Sequence, residues 1–165
     1  MKRPILLSLA LSAVLATLLA CGPSAAQVKT ATAARYRVQA DVVLPIVVGV
    51  VEQAYKIQHV DPDRRTILTV ERWYEADGMQ PDPARRRNRR PSGAIKLSFK
   101  IVLVPAAGAL QVEVTPVTVQ HRGDFSALIP LTLADPDMPT WIRGKTDALN
   151  VAIWDQLRDY AVTPG

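Results

Sequence analysis

The chain has one cysteine, two histidines and few aromatic residues, 5% of its 165 positions. A single thiol, Cys21, leaves no intrachain disulfide, so a folded domain here must be held by its buried core. His59 and His121 stand far apart, and neither has carboxylates at ligand spacing, so no metal site is expected. The chain has no Gly-x-Ser-x-Gly elbow, no phosphate-binding glycine loop and no His-Glu-x-x-His helix. Two carboxylate pairs exist, Asp61-Pro62-Asp63 and Asp135-Pro136-Asp137, each set around a proline. That pattern makes turns, whereas general acid–base chemistry needs carboxylates held across a cleft; weak calcium binding is the minor alternative. No catalytic residue and no cofactor is expected, and the chain reads as a non-enzyme.

Acidic residues are outnumbered, 15 against 20 Lys plus Arg, for a net charge of +5. The excess is local. Setting aside Lys2 and Arg3 lowers +5 to +3, and setting aside Arg85, Arg86, Arg87, Arg89 and Arg90 lowers it to −2. A basic surface of the kind that holds nucleic acid is therefore not expected.

Lys2 and Arg3 precede an apolar stretch, Ile5 to Leu19, broken only by Ser8, Ser12 and Thr17. Its roughly 15 residues fall short of the roughly 20 that span a bilayer as a helix. The arrangement is that of an export signal over residues 1–20. It ends in Leu18-Leu19-Ala20-Cys21, which resembles the lipobox of bacterial lipoproteins. That resemblance implies cleavage between Ala20 and Cys21 and acyl chains on Cys21. Each buried CH2 contributes about 0.8 kcal/mol, so two or more chains hold a protein stably on a membrane. Lipidation would consume the only thiol. An ordinary export signal with a coincidental cysteine is the other reading.

Residues 21–34 are mostly Ala, Ser, Thr, Gln and Gly with one proline, and read as a flexible tether. At full stretch it could hold the domain some tens of ångströms from the membrane. A single domain is expected over 35–165. Arg35 to Ala40 alternates like a short strand. Asp41 reads as an N-cap, with Pro45 in the first turn of a helix reaching Tyr55 and burying positions 43, 46, 47, 50, 51 and 54. Tyr55 to Tyr74 reads as a hairpin around Asp61-Pro62-Asp63. If its second arm is regular, Ile67, Thr69, Glu71 and Trp73 share one face, and Leu68, Val70, Arg72 and Tyr74 the other.

Residues 77–93 read as a disordered loop bearing the arginine run, and a loop this long is often functional. Ala94 to Val104 places Ile95, Leu97, Phe99, Ile101 and Leu103 on one face. Ala109 to Gln120 points Leu110, Val112 and Val114 inward, and Pro116 marks an edge or a bulge. Residues 121–139 read as irregular. Pro139 to Ala161 is an amphipathic helix with Ile142, Leu149, Ala152, Ile153, Leu157 and Tyr160 inward, widened by Trp141 and Trp154.

The expected fold is α+β: a two-layer sandwich of order (β)-α-β-β-β-β-α, an antiparallel sheet crossed on one face by the C-terminal helix. With the lipobox, this order resembles the helix-grip domains of BamC-like lipoproteins of the outer-membrane β-barrel assembly machinery. The matching features are Leu18-Leu19-Ala20-Cys21, the strand–helix start, the hairpin at Asp61-Pro62-Asp63 and the closing helix. BamC-like chains carry two such domains and a longer N-terminal segment, whereas this chain has one domain and a short tether. The resemblance implies a lipid-anchored accessory protein facing the periplasm, at the outer membrane, that binds an envelope protein. A second reading is a lipid or small-molecule binding module, favoured if unfilled apolar volume lies under the final helix. Arg85, Arg86, Arg87, Arg89 and Arg90 are candidate contacts for anionic lipid, lipopolysaccharide phosphate or an acidic partner, because guanidinium forks suit phosphate.

Overall fold

The computed structural model describes residues 22–81, 92–122 and 127–162. Ala20, Cys21 and the five arginines at 85, 86, 87, 89 and 90 lie outside the described residues.

The chain order is α1 (Ala25–Ala33), β1 (Arg35–Tyr36), α2 (Ala40–Ala54), β2 (Ile57–Asp61), β3 (Thr66–Thr69), β4 (Arg72–Tyr74), β5 (Ile95–Ala106), β6 (Ala109–Arg122), β7 (Ala127–Leu131), α3 (Thr140–Leu157), a 3-10 turn (Arg158–Tyr160) and β8 (Ala161–Val162). All pairings are antiparallel, in the order β2-β3-β5-β6-β1-β8. β4 joins the outer edge of β5 beside β3, and β7 joins the outer edge of β6 beside β1. The fold is α+β, with α2 and α3 packed on one face of the sheet.

The β5–β6 hairpin is the frame. It turns at Ala107 and Gly108, both with positive φ, and runs in unbroken register from Ala106↔Ala109 to Ile95↔Gln120. Strict alternation buries Ile95, Leu97, Phe99, Ile101 and Leu103, together with Leu110 and Val112 opposite. Their partners in the core are Val43, Val47 and Val51 of α2 and Ile142, Leu149, Ile153 and Leu157 of α3. Trp141 and Trp154 pack half-buried against this cluster. The long final helix stops at Leu157, before Tyr160, and the chain then adds β8 against β1. Within it Ala152 is exposed, as Tyr160 is beyond it, and the buried positions instead include Thr146 and Val151.

Further local expectations are corrected. Residues 25–33 are not a free tether but the helix α1, which packs on α3. Ser24 and Gln27 form a capping box, each side chain answering the other residue's backbone N–H, so two orphan donors are satisfied at once. The helix α2 begins at Ala40 with Gln39 as N-cap, so Asp41 lies in its first turn and Pro45 is interior. The N–H that Pro45 lacks would have met the carbonyl of Asp41 on the solvent side, where water can serve it. Val43, Leu44, Val47, Val50 and Val51 are buried there, whereas Ala54 is exposed.

The arm Thr66 to Tyr74 is not one regular strand. β3 pairs Thr66↔Val102 and Leu68↔Lys100, whereas β4 pairs Arg72↔Leu97 and Tyr74↔Ile95. The register slips by one residue at Val70-Glu71. A slip of one exchanges the two faces. Ile67 and Thr69 are buried before the break, and Tyr74 is buried after it, leaving Trp73 on the opposite face. Finally, the stretch 121–139 is not wholly irregular. β6 runs on to Arg122, and Ala127–Leu131 is a strand. Eight strands form where four or five were expected.

Candidate functional site

Pro116 sits inside β6, opposite Phe99. The N–H of Phe99 points to the other side of β5, where it donates to Thr69 Oγ1. Phe99 and Pro116 are thus a pair without ladder bonds between them, and the ring nitrogen of Pro116 faces the outer edge of β6. On that edge β1 pairs at Leu110 and β7 pairs from Thr118 to Arg122. Between them residues 111–117 have no strand partner among the described residues. The proline therefore removes no ladder bond, which is the edge position expected from sequence. At the start of this gap Gln111 Nε2 donates to the carbonyl of Thr32 at the end of α1.

β7 continues the same edge upward. Its residues Ala127 to Pro130 are all exposed, with Leu128 at 49% and Ile129 at 38%. Thr118 Oγ1 donates to the Leu131 carbonyl at 2.6 Å and pins the end of the strand. Val117 and Leu133 add exposed apolar surface, and the run 127–134 has no charge. Beyond it Asp135 accepts from the N–H and hydroxyl of Thr132, closing a turn, and Asp137 pairs with Arg122 at 2.8 Å. The Thr132 donors hold the Asp135 carboxyl below its usual pKa. Asp61 likewise accepts from the Arg64 N–H in the β2–β3 turn.

The histidines do not come together. His59 is exposed on β2, and His121 is on β6, three strand positions away. His121 faces Leu128 of β7, and its buried Nδ1 has no hydrogen-bond partner. No three His, Cys, Asp or Glu side chains converge as a metal site among the described residues. Surface clefts open among the described residues. One of about 600 Å³ is lined by Glu52 to Ile57 and Arg72, and one of about 490 Å³ by Val38 to Asp41, Arg65 and Gly108 to Leu110. Neither touches α3, whose Ile142, Ile153 and Leu157 are almost wholly buried, as is Phe99 of the sheet. Burial of the phenols pushes Tyr36 and Tyr55 up to about 12.

Pro116 was legible in the sequence as an edge marker. The strand β7 was not, because Pro130 and the short run Ala-Leu-Ile-Pro-Leu suppress its strand signal. Its sequence clue is the lack of charge over 127–134. No described helix is long and apolar enough to cross a membrane. No known protein family and no curated protein matches the chain.

Proposed function

We propose that this chain is a bacterial lipoprotein anchored through Cys21, facing the periplasm from the outer membrane. It serves as a non-enzymatic accessory protein in outer-membrane assembly or maintenance by binding an envelope protein. The anchor rests on Leu18-Leu19-Ala20-Cys21. The interaction role rests on one observation: among the described residues β7 is an uncharged, solvent-exposed edge strand, beside a stretch of β6 that has no strand partner. Proteins usually guard such an edge with charge or cover, and an extended segment of a partner can add to it as a further strand. Binding of a lipid or small molecule between sheet and helix has less support, since neither cleft reaches α3. The arginines at 85, 86, 87, 89 and 90 remain proposed contacts for anionic headgroups or lipopolysaccharide.

The test is site-specific photocrosslinking in intact cells, with the reactive residue at Leu128, Val117 or His59. Capture of one envelope-assembly component from Leu128 and Val117 but not from His59 supports the reading. Equal capture from all three sites, or none, argues against it. Mass spectrometry of the mature N-terminus tests the anchor separately.

A further inference from the structure

The first structured residue after Cys21 is close by. Ser24 already accepts the Gln27 N–H as the cap of α1, so only Gly22 and Pro23 separate the proposed lipid from a helix. Three virtual bonds reach about 10 Å at most, against about 45 Å for a free tether ending at residue 34. The helix α1 is itself fixed, since it packs on α3 and its Thr32 carbonyl takes the Gln111 side chain. Lipid on Cys21 would therefore hold the domain by a short link to a rigid element.

The charge along that element is of one sign. Residues 22–40 contain no Asp or Glu, and their three charged side chains are Lys29, Arg35 and Arg37, all exposed. None of the three has an ion-pair partner among the described residues. Tyr36 turns into the core between the two arginines. The 3-10 turn that leads into β8 carries one residue of each sign, Arg158 and Asp159. With a link of about 10 Å and a helix of about 14 Å, Lys29, Arg35 and Arg37 can all reach a bilayer that holds Cys21, where attraction to anionic headgroups acts within a Debye length of about 10 Å.

We infer that the α1–β1 edge of the sheet is a membrane-apposed surface, on which Lys29, Arg35 and Arg37 bind anionic lipid headgroups and set the domain's orientation. This rests on the lipoprotein reading and deepens it. The opposite edge, β2, lies four strand positions from β1, about 19 Å at about 4.8 Å per strand. It lies further from the bilayer than β1 does.

Cys21 is the sole cysteine, so once it is acylated an introduced cysteine is the only free thiol. The full chain carrying Thr30→Cys or His59→Cys is extracted from a diderm host, labelled with a fluorophore and placed in vesicles containing phosphatidylglycerol and a headgroup-region quencher lipid. The expected result is strong quenching at position 30 and weak quenching at 59. Lys29→Glu, Arg35→Glu and Arg37→Glu together should lower the ratio of apposed to detached orientations by roughly 100-fold, with no change in phosphatidylcholine vesicles. A long Gly-Ser insertion after Pro23 should also reduce quenching at 30. Acylated chain with equal quenching at both positions, or with quenching insensitive to the triple reversal, overturns this inference alone. A mature chain without acyl mass on Cys21 overturns the lipoprotein reading and this inference with it.

Discussion

Thr69 Oγ1 accepts the backbone N–H of Phe99 at 2.8 Å, in the core of the sheet, 30 residues away in sequence. The contact lies where β3 ends and the register slips before β4. A side-chain hydroxyl takes the place of a ladder carbonyl, so the break leaves no buried donor unpaired at Phe99.

Thr69→Val keeps the shape and removes the acceptor. A buried N–H left without a partner costs about 1–3 kcal/mol. Urea unfolding should show a loss of that size, and Thr69→Ser should recover most of it. A valine variant as stable as the parent would mean that water or a shifted strand serves Phe99.

Gly78 is held at φ +88, with its missing Cβ directed at the Trp141 ring only 2.7 Å away. Trp141 in turn donates Nε1–H to the Ala76 carbonyl and stacks obliquely on Tyr74 at 5.2 Å. Gly78→Ala meets both a strained backbone region and a steric clash, and should cost about 1–3 kcal/mol or more. A change in tryptophan fluorescence should accompany the loss. Unaltered stability would show that this turn relaxes without moving Trp141.

The capping box at Ser24 and Gln27 makes α1 a testable unit. Ser24→Ala should cost about 0.5–2 kcal/mol of helix stability and speed cleavage after Lys29 by trypsin. A wild-type chain cut there as fast as the variant would restore the flexible tether.

Two titrations carry a sign. The Asp135 carboxyl is lowered from 3.8 by the Thr132 donors, so its contribution is complete above 3.8 and is lost as pH falls through the folded-state pKa. Asp135→Asn should flatten that part of the acid-unfolding curve. Tyr36 is raised from 10.0 to about 12, so folding favours its neutral phenol. Stability from this source is complete below pH 10.0, falls as pH rises to about 12, and Tyr36→Phe should reduce the alkaline loss. An alkaline limb identical in the variant would assign the loss to other groups, with Tyr55 the next to test.

Charge placed on β7 tests the interaction surface itself. Leu128 is 49% exposed, so Leu128→Lys should change stability little, within about 0.5 kcal/mol. The same change should abolish crosslinking from Val117 to an envelope partner. Retained capture would move the partner to another surface.

The alternation of Ile95 to Leu103 and of Leu110 to Val114 announced the central hairpin, and the stripe Ile142, Leu149, Ile153 and Leu157 announced the closing helix. These are one-sided burial patterns, and a period of 2 or 3.6 is written in consecutive residues. Other features depended on partners far along the chain. Val70-Glu71 became a register break because β5 is a single strand long enough to pair with both β3 and β4. Pro116 became tolerable because β1 and β7 pair on either side of it. The Ala-rich stretch 25–33 became a helix that stays docked because α3 and Gln111 offer it a surface, and Ala127–Leu131 became a strand because β6 extends to Arg122. Pairing of that kind is settled by which distant edge is free, and no local pattern of residues records it.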